Sequence, residues 1–259
     1  MPADAAPVAT KAELRRLREL LRDRRAREVA GLFVAEGPRV VAAAFDHGAP
    51  VTCVFVERDG PLAARARAAG VPVRVLPPGA ASRVGDTATP QPAFALVELR
   101  RAGPEALLGA DLVVVGAPVA DPGNAGTLMR SVAAAGGQAL GLGAGSVDAY
   151  NPKVVRASAG ACFAVRIGEG VPAVQMLDVL GARGVQRIGA VPRGGAPPDR
   201  LDLTGPVAFV LGHEAHGLAA DLPLDALVTI PMAAGESLNV AMAGTVLCFE
   251  AARRRREAT

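Results

Sequence analysis

The sequence has no tryptophan, one tyrosine and seven phenylalanines, so aromatic residues are only 3% of its 259 positions. Tyr150 and the phenylalanines form no cluster on which successive bases could stack, which argues against single-strand binding by stacking. Cysteine is scarce too. Cys53, Cys162 and Cys248 are odd in number and far apart, and none has a Cys or His neighbour at ligand spacing. They read as buried, reduced thiols, so neither a disulfide nor a metal is expected. No apolar run reaches the roughly 18 residues that span a bilayer, and MPADAAPVAT lacks a signal-peptide core. The expectation is a cytoplasmic protein with no membrane partner. The phosphate loop G-x-x-x-x-G-K-[ST] is missing. Gly141-Leu142-Gly143-Ala144-Gly145-Ser146 ends in Ser where a dinucleotide fingerprint needs Gly or Ala. His213-Glu214-Ala215-His216 is one residue short of the zinc signature, so its histidines read as turn residues.

What is present is 51% hydrophobic content with Gly 30 and Pro 21, the composition of an Ala/Val/Leu/Gly-rich α/β protein. Net charge is only +3, yet it is unevenly placed. Residues 11–27, KAELRRLRELLRDRRAR, carry eight basic and three acidic side chains, and Arg253–Arg256 is a run of four arginines. Leu14, Leu17 and Leu21 recur at helical spacing, which predicts an amphipathic helix with a basic outer face. That face either neutralises phosphates or is simply solvated.

Along the chain, residues 1–30 form a basic N-terminal arm. Residues 31–102 alternate strand and helix: Leu32–Arg39 leading into Val40–Phe45, strand Val51–Val56, helix Leu62–Ala69, and strands Val73–Leu76 and Phe94–Leu99. Arg100–Pro104 breaks the pattern. Residues 103–259 then read as strand Leu112–Val115, helix Asn124–Ala135, strand Ala139–Leu142, a helix starting near Asp148 or Asn151, strand Phe163–Ile167, helix Ala173–Ala182, and strands Arg187–Val191, Val207–Leu211 and Leu227–Ile230. Continuous apolar strands between helices predict a mainly parallel sheet covered on both faces. The final helix, Ser237–Arg254, is apolar nearly all round and needs cover on several sides.

Three segments stand out within residues 103–259. Val207–Leu211 opens into the turn Gly212-His213-Glu214-Ala215-His216-Gly217. Leu227–Ile230 leads into Pro231-Met232, and Ser237-Leu238-Asn239 starts the last helix. Brought together, two strand ends and a helix start make a pocket of backbone N–H and C=O groups with little charge, suited to an adenine nucleoside. Upstream, Asp121-Pro122-Gly123 signals a turn and Asn124 reads as an N-cap. At 100° per residue Arg130 points away from the packed face of Leu128, Val132 and Ala135.

These segments carry a resemblance. Asn124-Ala-Gly-Thr-Leu-Met-Arg130, GHEAHG and IPMAAGESLNV are similar, in order, to the N-x-G-x-x-x-R, G-x-E-x-x-G and I-P-M…S-L-N-V motifs of the SpoU family of RNA ribose 2′-O-methyltransferases, in the SPOUT superfamily. The stretch from Ile230 to Leu238 looks one residue shorter than that pattern. The resemblance implies an α/β fold with a deep trefoil knot in the C-terminal SPOUT domain, preceded by a small αβ RNA-binding domain that FVAEGPRVV resembles. It implies S-adenosyl-L-methionine as cofactor, held by Leu211, Gly212, Ile230, Met232, Ser237, Leu238 and Asn239. It places Arg130, Asn124 and Glu214 at the reaction centre and makes Arg39, Arg156 and Ser158 candidate RNA contacts, with Glu36 either an RNA contact or half of a salt bridge. Ser158 reads equally as a helix-packing residue. The implied partners are RNA, ribosomal RNA favoured, and a second copy of the chain. That last reading places Leu247 in the subunit interface. A transfer RNA substrate, base methylation, and a catalytically silent RNA-binding protein are the other readings.

Overall fold

The computed structural model describes residues 6–85, 91–213 and 215–258. It divides the chain into two compact units, Met1–Arg100 with Tyr150–Phe163, and Arg101–Ala149 with Ala164–Thr259.

The first unit is built on a four-stranded sheet of β1 (Leu32–Glu36), β2 (Val51–Val56), β3 (Val73–Val75) and β4 (Ala93–Glu98), in the order β1-β4-β2-β3. β4 runs antiparallel to both neighbours, and β2 and β3 are parallel. Its helices are α1 (Lys11–Arg22), α2 (Arg24–Ala30), α3 (Pro38–Asp46), α4 (Pro61–Ala68), α5 (Ala80–Val84) and, from much later in the chain, α7 (Pro152–Ala157). The single basic helix expected over residues 11–27 is in fact two. Asp23 ends α1 in an extended conformation, and its side chain accepts from Arg25 N at 2.8 Å to start α2. A short polar residue that bonds the backbone ahead of it is a better cap than a helix interior residue. α1 opens with a complete capping box between Thr10 and Glu13 and buries Leu14, Leu17, Leu20 and Leu21. Phe33 is buried and packs against Tyr150 and Phe163, with ring centroids 4.9 and 6.0 Å away.

The second unit carries a six-stranded sheet in which every ladder is parallel. Its strands are β5 (Leu112–Ala117), β6 (Ala139–Leu142), β7 (Arg166–Glu169), β8 (Gln186–Ala190), β9 (Val207–Gly212) and β10 (Ala226–Val228), in the order β10-β8-β9-β5-β6-β7. With α6 (Pro122–Ala134), α8 (Ala173–Gly181) and α9 (Val240–Glu257), this is the expected α/β architecture. Leu112, Val113, Val114 and Val115 of β5 are all fully buried. An unbroken apolar run is what a strand covered on both faces requires, each such side chain contributing about 1.5–3 kcal/mol. Arg101, where the chain enters this unit, pairs with Asp148 at 3.0 Å and with Glu169, both largely buried carboxylates.

Two helix starts differ from expectation. α6 begins at Pro122, not Asn124, because Asp121 is its N-cap and accepts from Asn124 N at 2.8 Å. The Pro-Gly that reads as a turn is the first turn of the helix, where a proline loses no hydrogen bond. α9 begins at Val240, and Asn239 is its cap, so Ser237 and Leu238 lie ahead of the helix.

Candidate cofactor pocket

A cavity of about 670 Å³ opens at the carboxyl ends of β8, β9 and β10, the last three strands of the chain, which the sheet sets side by side in the order β10-β8-β9. It is lined by Ala190–Pro192 at the end of β8, by Leu211–His213 and Ala215–Gly217 around the turn after β9, by Val228, Ile230 and Met232 from β10 onward, and by Ser237–Val240 with Ala243 at the start of α9. The seven residues expected at a cofactor all lie on this wall. His213 and His216 are the only titratable side chains among the described lining residues. The cavity is therefore apolar with polar backbone edges, and its size is that of a small-molecule site.

Each wall is fixed by local chemistry. At Gly212 a Cβ would meet the Gly217 carbonyl carbon at 2.3 Å and Leu218 N at 2.6 Å, so only glycine lets the turn fold back onto the end of β9. The turn is closed by His213 N donating to Gly217 O at 3.0 Å and Gly217 N donating to His213 O at 2.8 Å. His213 Nδ1 accepts from Ala215 N at 3.0 Å, and the His213 and His216 rings stand 4.8 Å apart. Glu214 lies outside the described residues. On the other wall Thr229 Oγ1 donates to Val191 O at 3.1 Å and accepts from Gly195 N at 2.9 Å, joining the segments beyond β8 and β10.

Asn239 works at both ends of its amide. Its Oδ1 accepts from Ala241 N and Met242 N, and its Nδ2 donates to Asn124 Oδ1 at 3.1 Å. Asn124 is thus tied to the pocket wall through the cap of α9. α6 and α9 pack closely because Gly244 leaves room for Leu128 and Leu211, and Ser131 Oγ meets Thr245 Oγ1 at 2.6 Å. Arg130 lies on the exposed side of α6, as its angle from Leu128 predicts, and does not line the cavity.

The three candidate RNA contacts behave differently within the first unit. Arg39 is exposed. Arg156 Nη1 donates to Glu36 Oε2 at 2.5 Å, and the Glu36 carboxylate is almost wholly buried, so Glu36 is half of a salt bridge and not an RNA contact. Ser158 is fully buried and its hydroxyl donates to Val155 O at 2.7 Å. It packs at the end of α7, which agrees with the alternative reading of Ser158 as a helix-packing residue.

Leu247 is also fully buried within this chain, whereas Met242, Val246 and Phe249 of α9 are 61%, 42% and 46% exposed. The solvent-facing stripe of the helix therefore runs along those three and not through Leu247. The wall at the end of β8, Ala190 to Pro192, carries no motif, and only its place beside β9 and β10 in the sheet brings it to the pocket.

The SpoU rRNA Methylase family model matches residues 111–249, and an MRM3-like substrate binding domain matches residues 11–95. The 23S rRNA (guanosine(2553)-2′-O)-methyltransferase of Bacillus subtilis is 30% identical over 88% of this chain and 92% of its own. The 23S rRNA (uridine(2479)-2′-O)-methyltransferase of Streptomyces viridochromogenes is 30% identical over 98% and 94%. The crystal structure of the SpoU methyltransferase AviRb from Streptomyces viridochromogenes in complex with AdoMet superposes with a TM-score of 0.83 at 28% identity, covering 95% of this chain and 99% of that one. A TrmH/SpoU tRNA modifying enzyme of A. aeolicus matches over only 60% of this chain, with a TM-score of 0.50. With its family model covering residues 111–249 and such relatives spanning nearly its whole length, the chain belongs to the SpoU rRNA methylase family.

Proposed function

We propose that this protein transfers a methyl group from S-adenosylmethionine to a ribose 2′-hydroxyl of 23S ribosomal RNA. The observation that carries the reading is the largely apolar cavity at the ends of β8, β9 and β10, at whose wall the motif residues Asn124 and Asn239 are joined by a side-chain bond. The near full-length match to two 23S rRNA enzymes, against a partial match to a tRNA enzyme, supports ribosomal over transfer RNA.

The residues present fit the cofactor. The cavity volume and the apolar wall with polar edges suit an adenosine, and the close approach of backbone at Gly212 leaves amide groups where a Cβ would otherwise stand. When bound, S-adenosylmethionine supplies an electrophilic methyl group on a sulfonium. Leu211, Gly212, Ile230, Met232 and Leu238 form the walls that hold it, while Ser237 and Asn239 fix the loop that leads into α9. Positioning the ribose oxygen in line supplies much of the rate. Arginine stays protonated at any working pH, so Arg130 acts by stabilising the negative charge that grows on the 2′-oxygen, and water or phosphate takes the proton. Glu214 orients Arg130 or the target nucleotide.

Because Arg130 does not line the cavity of its own chain, it serves the cavity of a second copy. The exposed stripe Met242, Val246 and Phe249 is the surface through which two copies associate, and the cavity-lining segments are those that the trefoil knot of the superfamily threads. The setting is the cytoplasm. Among the described residues no helix is long and apolar enough to cross a membrane.

The test is methyl transfer from labelled S-adenosylmethionine to 23S rRNA and to total tRNA, with Arg130→Ala beside the wild type. The expected result is label in 23S rRNA alone, recovered as alkali-resistant dinucleotides. Arg130→Ala should lower kcat by about 100-fold or more with cofactor binding unchanged. Label in tRNA alone overturns the substrate, and full activity of Arg130→Ala overturns the role of the arginine.

A further inference from the structure

Two arginine-rich segments look alike in sequence, and the structure separates them. In the tail, Arg253 pairs with Glu250 and Glu257, Arg254 with Glu250 and Asp199 O, and Arg255 donates to Leu203 O, Asp111 O and Gly205 O. Those three cations are consumed inside their own unit, and Arg256 alone of the run is exposed. On α1 it is the acids that are consumed. Glu13 accepts from Thr10 N, Thr10 Oγ1 and Arg74 Nε at 2.7–2.9 Å, and Asp23 caps α2. The remaining acid, Glu19, approaches Arg15 at 3.5 Å with both side chains more than half exposed, a contact that water screens heavily and that a phosphate would displace.

The cations left over are ordered. At 100° per residue, Lys11, Arg15, Arg18 and Arg22 fall within an arc of about 60°, and a rise of 1.5 Å per residue sets neighbours about 4.5–6 Å apart along the helix. Lys11, Arg15 and Arg22 are exposed, and Arg18 is half-buried with its Nε donating to Leu14 O at 3.3 Å. The opposite face of α1 is locked into the core by four leucines and its first turn by the capping box. The helix that carries this row is already in place before anything binds, so the ordering cost of contact falls on the side chains alone.

We propose that the stripe Lys11, Arg15, Arg18 and Arg22 is an RNA-docking surface that grips consecutive phosphates of one strand of the substrate and positions it, without reading sequence. This deepens the ribosomal RNA reading above and rests on it. The stripe works by neutralising phosphates and releasing counterions, so its signature is the dependence of affinity on salt.

The experiment compares binding of in vitro transcribed 23S rRNA across a potassium chloride series for wild type, for a quadruple Lys11→Gln, Arg15→Gln, Arg18→Gln, Arg22→Gln variant, and for Arg16→Gln, which lies on the same helix outside the stripe. Glutamine keeps the helix propensity, and melting temperature and cofactor affinity report that each variant is folded. The expected outcome is a slope of log affinity against log salt that falls by about 3 in the quadruple variant and by less than about 0.5 in Arg16→Gln. Methyl transfer should show a raised KM for RNA with kcat retained. A folded quadruple variant with the wild-type slope overturns the inference alone, as does an Arg16→Gln effect equal to a quarter of the quadruple one. Wild-type protein that binds cofactor but no RNA at any salt overturns the substrate reading and the inference with it.

Discussion

At Gly212 the side chain that is missing matters more than any present. Gly212→Ala drives a methyl into the Gly217 backbone, and the turn cannot yield without leaving its pairing with His213. Titration calorimetry should show cofactor affinity down at least about tenfold, alongside a stability loss of about 1–3 kcal/mol. Asn239 separates two duties of one side chain. Asn239→Asp keeps the helix cap but puts a carboxylate where an amide donates to Asn124, so stability should hold while methyl transfer falls. Asn239→Ala loses both and should also cost about 1 kcal/mol in a denaturant melt. Burial pushes the Cys248 thiol up to about 12 and the Cys162 thiol to about 11. Their ionisation is held back in the folded chain only, so the unfolded chain gains by losing protons first. Stability should therefore decline as pH rises from about 9 towards 12, and Cys248→Ala should flatten that decline in thermal melts.

At the scale of elements, α9 offers a test in which packing and association come apart. Leu247→Glu places a charge in the core and should leave no folded protein, with a loss above about 4 kcal/mol. Val246→Glu, one residue away on the exposed stripe, should melt within about 1 kcal/mol of wild type yet sediment as an inactive monomer. An active monomer would contradict the association proposed here. The apolar periodicity that makes α9 legible as a helix assigns no side to its neighbours, which is why Leu247, expected at the subunit interface, is buried within its own chain. The strands were readable for a related reason: Val207–Leu211 is an unbroken apolar run too short for a helix, and Val51–Val56 is short and rich in β-branched residues. Helix starts were less so, because Asp121 and Asn124 are both good caps and only the geometry shows which one accepts a bond. The seven cavity residues could be named because they lie in, or for Leu211 directly beside, the motifs that carry the resemblance to the SpoU family. Ala190 to Pro192 could not, since their part in the wall comes from sheet order alone.

At the scale of the whole molecule, the division into two units does not follow a single cut in the chain. Tyr150–Phe163 belongs with the first unit, where Arg156 meets the buried Glu36 and Tyr150 and Phe163 cover Phe33. A fragment of residues 101–259 keeps those fourteen residues but loses Glu36 and Phe33, against which Arg156, Tyr150 and Phe163 pack. It should be less soluble and melt lower than the full chain, and a fragment of residues 1–100 should fare no better. The return of the chain to its first unit also sets a schedule for synthesis. At about 5–20 residues per second, the ribosome needs several more seconds after Arg100 before Phe163 is made, and for that interval the nascent N-terminal unit must wait with Phe33 uncovered and Glu36 without Arg156.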